Sequence, residues 1–560
     1  MSRHRMLTIA ALATLAGVAP LHAQSFPTDD PVIKHIYAIG MDSTDLYRQA
    51  HVLFDSVGPR LMGTPNLSRA QDWLVDTYKA FGIDAKKERF GTWRGWERGP
   101  SHIDLVSPRI RSLEGQMVGY SPGTNGKPAT LPVVILPRFA DSTAFVAWLP
   151  KAKGKLVMIS APMPTCRAQS QYTALGTPEE AAEMAKAVTE SKAEWASARA
   201  RDGEGASAGV RGTGYSAALG GGELGVRLEQ GGAAGIITSR PKLTWSTGGG
   251  AGGRGGFGGG GAGSQGGVSA MEIFETYNTR TPAIALNCED YGLVFRLAEA
   301  GDAPTLRLDL DARLLGEQPV FNVVATIPGT EKPNEYVVLS AHYDSWDGSS
   351  GATDNGTGTL TMLEAMRILK QVYPHPKRTI IAGHWSGEEE GEVGSKAFTE
   401  DHPEVIAGLQ TVFNQDNGTG PIRSIGGGGM VGSPEHVNRW LSAIPTEWRD
   451  SLRTSLPGGP SGSGSDGYAF TCYGVPTTDL GSSSWDYFSL TWHTERDTYD
   501  KVVFPALKYN ATLTAMLAYE ASEDPTMIPH QKVDLASAGG RTRTWPTCEK
   551  APRSTNPRLK

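Results

Sequence analysis

Residues 336–395 constrain this chain more than any other stretch. They hold Tyr336-Val-Val-Leu-Ser-Ala-His342-Tyr-Asp344-Ser-Trp, then Gly351-Ala-Thr-Asp354-Asn-Gly-Thr-Gly, then His384-Trp-Ser-Gly-Glu388-Glu389-Glu390-Gly-Glu-Val-Gly394-Ser395. Each segment begins or ends an apolar, β-branched run, so imidazole and carboxylate groups gather where strands give way to loops. In open α/β sheets that edge is where chemistry sits.

The surrounding pattern supplies such a sheet. Residues 320–327, 335–341, 378–385 and 408–416 read as strands. Residues 359–372 read as a helix, with Leu360, Leu363, Met366, Leu369 and Val372 on one side. Strands alternating with helices predict an α/β fold, a mainly parallel mixed sheet sandwiched by helices. A last helix over 506–521 closes this part, and the polar, Pro-containing segment 526–560 is expected to be a loosely ordered tail.

Upstream, 24–40 reads as an extended lead-in. Residues 43–56 read as an amphipathic helix with Ser43 as N-cap, stopped by Gly58-Pro59; 68–81 repeats the pattern and 83–90 looks like a strand. Trp93 and Trp96 read as packing aromatics. Between 112 and 315 the character changes to short buried strands at 131–136, 155–160 and 233–238, with a helix over 178–200 that begins after Thr177 with Pro178 in its first turn. Residues 248–267 are mostly Gly, too poor in side chains to offset the entropy of ordering, and are expected to form a surface loop. No GK[ST] follows them, which disfavours phosphate binding. The division expected is 24–111 and 316–525 forming one domain, with 112–315 inserted as a smaller β-rich one.

The chain's 560 residues exceed one ordinary core. A net charge of -6 and the lack of a basic stripe argue against nucleic acid as a partner. Arg3, His4 and Arg5 precede an apolar run from Met6 to Leu21, and Ala23 stands before Gln24. That is the pattern of a secretory signal peptide over 1–23, so the chain is expected to be exported, periplasmic or secreted, with no membrane span. Export would place the four cysteines in an oxidising compartment. Their solitary spacing does not suit a thiolate zinc site; of three connectivities, Cys166 with Cys288 and Cys472 with Cys548 is the preferred one, four buried thiols being the rival reading.

Metal-assisted hydrolysis needs anionic or imidazole ligands, an open position for water, and a base for that water's proton. His342, Asp354, Glu389, Asp416 and His493 fit the ligand role and Glu388 fits the base. Lone histidines such as His375, His384, His402 and His436 are read as core or surface.

These residues lie in motifs that resemble the co-catalytic dizinc exopeptidase family, with its zinc aminopeptidase, glutamate carboxypeptidase and carboxypeptidase Q-like members. The motifs are His342-Tyr-Asp344, the Asp354 loop, Glu388-Glu389-x-Gly-x-Val-Gly-Ser395, Asn414-Gln-Asp416 and Trp492-His493-Thr-Glu-Arg-Asp497-Thr. The resemblance covers about 320–505 strongly and 40–95 loosely, and 112–315 resembles a protease-associated domain. It implies two Zn2+ ions per chain, one held by His342 and Asp416, the other by Glu389 and His493, with Asp354 bridging. It further implies Glu388 as general base and acid, and Asp344 as orienter of the His342 ring, with Asp497 doing likewise for His493. The three consecutive glutamates leave two registers; the Glu-Glu-x-Gly-x-x-Gly-Ser spacing favours Glu388 with Glu389. Asn355 stands where many members have Asp. Trp492 replaces a frequent Tyr, with Tyr487 as a substitute for its phenol.

The function expected is an exported zinc exopeptidase acting on a peptide or dipeptide. The rivals are a binding protein on a degenerate peptidase core and a single-zinc acyl transferase resembling glutaminyl cyclase. Which substrate end is gripped stays open, Arg423, Arg439 and Arg496 being the carboxylate partners considered. Oligomeric state is open too, a homodimer being one option.

Overall fold

The computed structural model describes residues 25–42, 45–137, 139, 142–160, 162–167, 169–200, 224–239, 280–462, 464–485, 487–535 and 544–554. The expected signal segment, the Ser43 cap and the Gly-rich tract lie outside them.

In chain order the strands are β1 Asp84–Ser107, β2 Arg111–Ser112, β3 Gly115–Met117, β4 Ala129–Ile135, β5 Leu156–Met158, β6 Gly235–Thr238 and β7 Ala283–Leu286, followed by β8 Thr305–Ile327, β9 Lys332–His342, β10 Arg378–Trp385, β11 Leu409–Asn414, β12 Ile422–Gly427, β13 Arg453–Ser455 and β14 Thr477–Ser482. They join in one sheet of order β13-β12-β14-β11-β9-β10-β8-β4-β5-β6-β7-β3, with β1 alongside β8. Within it β9 runs parallel to β10 and β11, and β11 parallel to β14. The carboxyl ends of these four strands therefore share one edge.

Both faces of that region are covered, as buried parallel strands require. Val337, Leu339 and Ala341 of β9 and Ile380 and Ala382 of β10 pack with the helices Pro31–Asp42, Pro65–Ala80, Thr357–Val372 and Phe504–Glu523. The intervening Val338 and Ile381 point the other way, into a cluster with Trp385, Phe398, Val412 and Phe470. The alternation follows from the two-residue period of a strand.

The expected strand over 83–90 is the first third of a much longer one. β1 pairs antiparallel with β8 from Asp84↔Thr326 to Ser107↔Thr305, and this ribbon leaves the first cluster for a second. There Trp96, Ile103, Leu105, Leu306, Leu308 and Leu310 pack with Met158, Ile237 and Ile284 of β5–β7. Trp96 is fully buried and its indole N–H donates to the Ser121 carbonyl, while Trp93 packs against both clusters.

Two expectations are corrected. The lead-in is not extended: Pro31–Asp42 is a helix whose first turn is capped by Asp30, which accepts from Val32 N–H at 2.7 Å. Its Ile33 and Ile36 are buried, and Gly40 lies where an added Cβ would come within 2.1 Å of Thr512 Oγ1, so a side chain there would hold the two helices apart. The tail is anchored where it is described: Ile528 is buried, and 544–554 is tied by Cys472–Cys548 and by Arg553 pairing with Glu400 and Asp401. The second bridge is Cys166–Cys288, so both pairings are as expected.

Candidate metal centre

Each predicted donor sits at or just past the shared strand edge. His342 is the last residue of β9, Glu388 and Glu389 follow β10, Asp416 lies two residues past β11, and His493 follows the loop after β14. Asp354 comes from the buried turn Ala352–Gly356 that leads into the helix Thr357–Val372, and its peptide bond to Asn355 is cis.

The side chains converge in two groups that share Asp354. In one, His342 Nε2 lies 3.2 Å from Asp416 Oδ1 and 3.5 Å from Asp354 Oδ1. In the other, His493 Nε2 lies 3.2 Å from Asp354 Oδ2 and 3.1 Å from Glu389 Oε2. A tetrahedral zinc with bonds of ~2.0–2.1 Å separates its ligand atoms by about 3.3 Å, so these spacings suit donors around a common cation. Asp354 Oδ2 and Glu389 Oε1 are buried without a hydrogen bond of good geometry, as expected of oxygens whose partner is an ion. Oxygen and imidazole donors are also the set zinc takes. The residues present fit the metal.

Electrostatics point the same way. Burial opposes charge on His342, but Asp416, Glu388 and its other acidic neighbours outweigh it and hold the imidazole well above its ordinary range. Burial pushes up the Glu388 carboxyl, with Asp416 adding to the effect, and likewise Glu389, with Asp354 and Glu388 adding. Burial would raise Asp354 too, yet the imidazoles of His342 and His493 beside it hold it below the usual carboxylate range. So many buried carboxylates on two imidazoles form a site with too little positive charge of its own.

Glu388 lies 3.9 Å from His342 Nε2, whereas Glu390 turns away and accepts from the Tyr120 hydroxyl at 2.9 Å. The geometry thus puts Glu388 and Glu389, not Glu390, at the cluster. Asp344 has a different emphasis from the expected one. His342 Nδ1 is 3.2 Å from the Asp344 backbone carbonyl and 3.5 Å from its carboxylate, and the two carboxylate oxygens accept from the backbone N–H groups of Glu388 and Glu389 at 3.3 Å each. Asp497 likewise takes the N–H groups of Thr353 at 2.7 Å and Asp354 at 2.9 Å, so it fixes the bridging loop. Burial, then the Asp354 charge, pushes Asp497 up to about 7. Asn355 uses its amide as Asp could not, donating to the Gln415 carbonyl at 2.8 Å and tying the Asp354 loop to the Asp416 loop.

Trp492 stacks on the His493 ring at 3.9 Å and Trp346 meets the same ring edge-on at 5.7 Å. Tyr487 is buried; burial first, then the charges of Asp354, Asp416 and Glu389, push its phenol well above its ordinary value, which places it in the field of the cluster. Of the arginines considered, Arg423 bonds Ser451, Arg439 pairs with Glu435 and Asp524, and Arg496 pairs with Glu114 and Glu495. His384, His402 and His436 bond Tyr78, Glu88 with Glu404, and Asp524, and stand apart from the donor groups.

Two residues were missed. Arg60 is fully buried and donates to the carbonyls of Gly58, Tyr343, Ser350 and Gly351 at 2.6–2.9 Å. Burial lowers its pKa to about 10, against the pull of Asp497, Asp344, Asp354 and Glu389. Nothing in Gly58-Pro59-Arg60 marks it beyond a helix stop. Asp466 is fully buried in the field of His342, Asp416 and Asp344, and burial pushes its carboxyl well above the usual range. Its signal was its place at the end of a Gly/Ser loop.

Residues 322–518 match the model of Peptidase family M28. Over 486 residues, 86% of each chain, the sequence is 25% identical to carboxypeptidase Q of Bos taurus. The fold resembles that of a Peptidase M28 precursor from Shewanella amazonensis, with a TM-score of 0.58 at 23% identity, covering 89% of this chain and 97% of that one. It also resembles a zinc aminopeptidase from Bacillus subtilis, with a TM-score of 0.50 at 19% identity, covering 87% of this chain and 96% of that one.

Proposed function

From the premise that this chain is a zinc metallo-exopeptidase of the co-catalytic family, with a Peptidase family M28 domain over 322–518, we propose that it is an exported two-zinc enzyme that removes one terminal residue from a peptide or splits a dipeptide. His342 and Asp416 would hold one ion, Glu389 and His493 the other, and Asp354 both. Bound there, the two ions would acidify a water and polarise the scissile carbonyl.

The chain's own residues do the rest. Glu388, on the turn past β10, takes the water's proton and delivers it to the leaving amine. Asp344 holds that turn by its backbone, and Asp497 holds the Asp354 loop the same way. Trp492 and Trp346 confine the His493 ring. Tyr487 is the phenol proposed to serve the developing oxyanion in place of the residue that Trp492 replaces. The segment 112–315 is proposed as an inserted domain that shapes access. Export fits the two disulfides, and among the described residues no helix is long and apolar enough to cross a membrane.

The observation that carries the reading is the pair of donor groups sharing Asp354. A degenerate binding protein has no use for a complete set, and a single-zinc acyl transferase has none for the second group. Glu388→Gln tests the assignment: turnover falls to background while zinc stays near the ~two ions a co-catalytic site holds, and retained turnover rejects it. Free-amine against N-blocked peptides, and free against amidated C-termini, decide the end gripped. The bovine relative's name favours cleavage at a free carboxylate.

A further inference from the structure

The turn that carries Glu388 and Glu389 ends in an awkward backbone. Glu392, the residue before the helix Val393–Asp401, has φ 55°, a left-handed conformation unfavourable for a side chain of that kind. The N–H groups of Gly391 and Glu392 both return to the Glu388 carbonyl, at 2.8 and 2.9 Å. A single buried lysine clamps this turn. Lys396 Nζ donates to the Gly391 carbonyl at 3.0 Å and pairs with Glu392 at 3.0 Å. Glu392 in turn accepts from Gly464 N–H.

A second acid reaches the same ammonium from far along the chain. Glu549 lies 2.9 Å from Lys396 Nζ and is held there by its neighbour Cys548, bridged to Cys472. Around it the segment 544–554 grips the elements behind Glu388. Trp545 Nε1 donates to the Thr471 carbonyl at 3.0 Å, the Tyr468 hydroxyl donates to the Thr547 carbonyl at 3.1 Å, and Ala551 N–H donates to Glu400 at 2.9 Å. Glu400 belongs to the helix that Glu392 precedes, and Tyr468 and Thr471 to the helix that Asp466 precedes.

We infer that 544–554 braces the Glu388–Glu389 turn and that Lys396 is the positioning residue through which it acts, the Cys472–Cys548 bridge keeping Glu549 in reach. This rests on the roles given to Glu388 and Glu389 above. Lys396 touches no reacting atom; it fixes the backbone from which the base and one ligand project. A base displaced by about 1 Å loses ~10²-fold in rate.

The test compares Lys396→Met, Lys396→Arg, Glu549→Gln and Cys472→Ser/Cys548→Ser with the native enzyme and with Glu388→Gln, reading kcat, KM, zinc content and Tm. Lys396→Met is expected to lower kcat by ~10²-fold with KM within about twofold. Lys396→Arg, which keeps the charge, recovers at least ~10-fold of that loss, and Glu549→Gln and the double-serine variant each lower kcat by ~3–10-fold. A folded Lys396→Met with native kcat, or an equal loss in Lys396→Met and Lys396→Arg, overturns the inference while a dead Glu388→Gln leaves the proposed function standing. Should Lys396→Met not fold, native kcat in both Glu549→Gln and the double-serine variant overturns it. An active Glu388→Gln would reject the underlying reading instead.

Discussion

At the scale of residues, the groups that position the donors matter as much as the donors. Asp497 serves two backbone N–H groups of the Asp354 loop, and Asn keeps only one acceptor oxygen for that task. Asp497→Asn is therefore expected to cost ~10–100-fold in zinc affinity or activity, measured by zinc titration beside kcat/KM. Arg60→Met strips four carbonyls, three of them buried, of their donor and removes a buried cation from beside four acids. Its expected cost is about 3–5 kcal/mol in urea unfolding, and a loss within ~0.5 kcal/mol would contradict the role given to Arg60. His342, Asp354 and Glu389 were legible because several donor types recur at strand ends in order. Asp497 was legible as a partner but assigned to the neighbouring ring, since four residues of spacing do not reveal that its oxygens reach a loop more than a hundred positions earlier. Arg60 was not legible at all, being a lone basic residue whose contacts are set by tertiary packing.

At the scale of elements, strands β9–β11 were legible as unbroken apolar runs because both faces are buried, and the helix Thr357–Val372 was legible from its hydrophobic period. The helix Pro31–Asp42 was overlooked although Asp30 and Pro31 carry its start signal, its apolar face being meaningful only beside Phe504–Glu523. That second helix ends in an acidic group: burial, then Asp30, Glu523 and Asp524, raises Glu520 to about 7. A carboxyl raised on folding holds its proton longer in the native state, so its contribution is neutral below the unfolded value near 4.5 and turns unfavourable as pH climbs to about 7. Glu520→Gln is expected to stabilise by about 1–2 kcal/mol at pH ~8 and to be nearly silent at pH ~4, read from denaturant midpoints at both. An equal effect at the two pH values would contradict the burial account.

At the scale of the whole molecule, a long ribbon of β1 and β8 joins two hydrophobic clusters, and the donor groups lie against their junction, where Tyr120 meets Glu390 and Arg98 meets Asp347. The length of that ribbon was not legible, because Gly91, Gly95 and Gly99 interrupt the alternation that signals a strand. Cations held between three acids and two imidazoles that follow four different strands would also link folding to metal. Chelation is expected to lower Tm and zinc to restore it, by about 4 kcal/mol of stability at zinc ~1,000-fold above its Kd. The most direct test of the account is a zinc-edge anomalous difference map from a crystal of the zinc-loaded protein. The account predicts two peaks ~3.5–4 Å apart, one against His342 and Asp416, one against Glu389 and His493, with Asp354 touching both. A single peak, or a second one that does not contact Asp354 and His493, would contradict it.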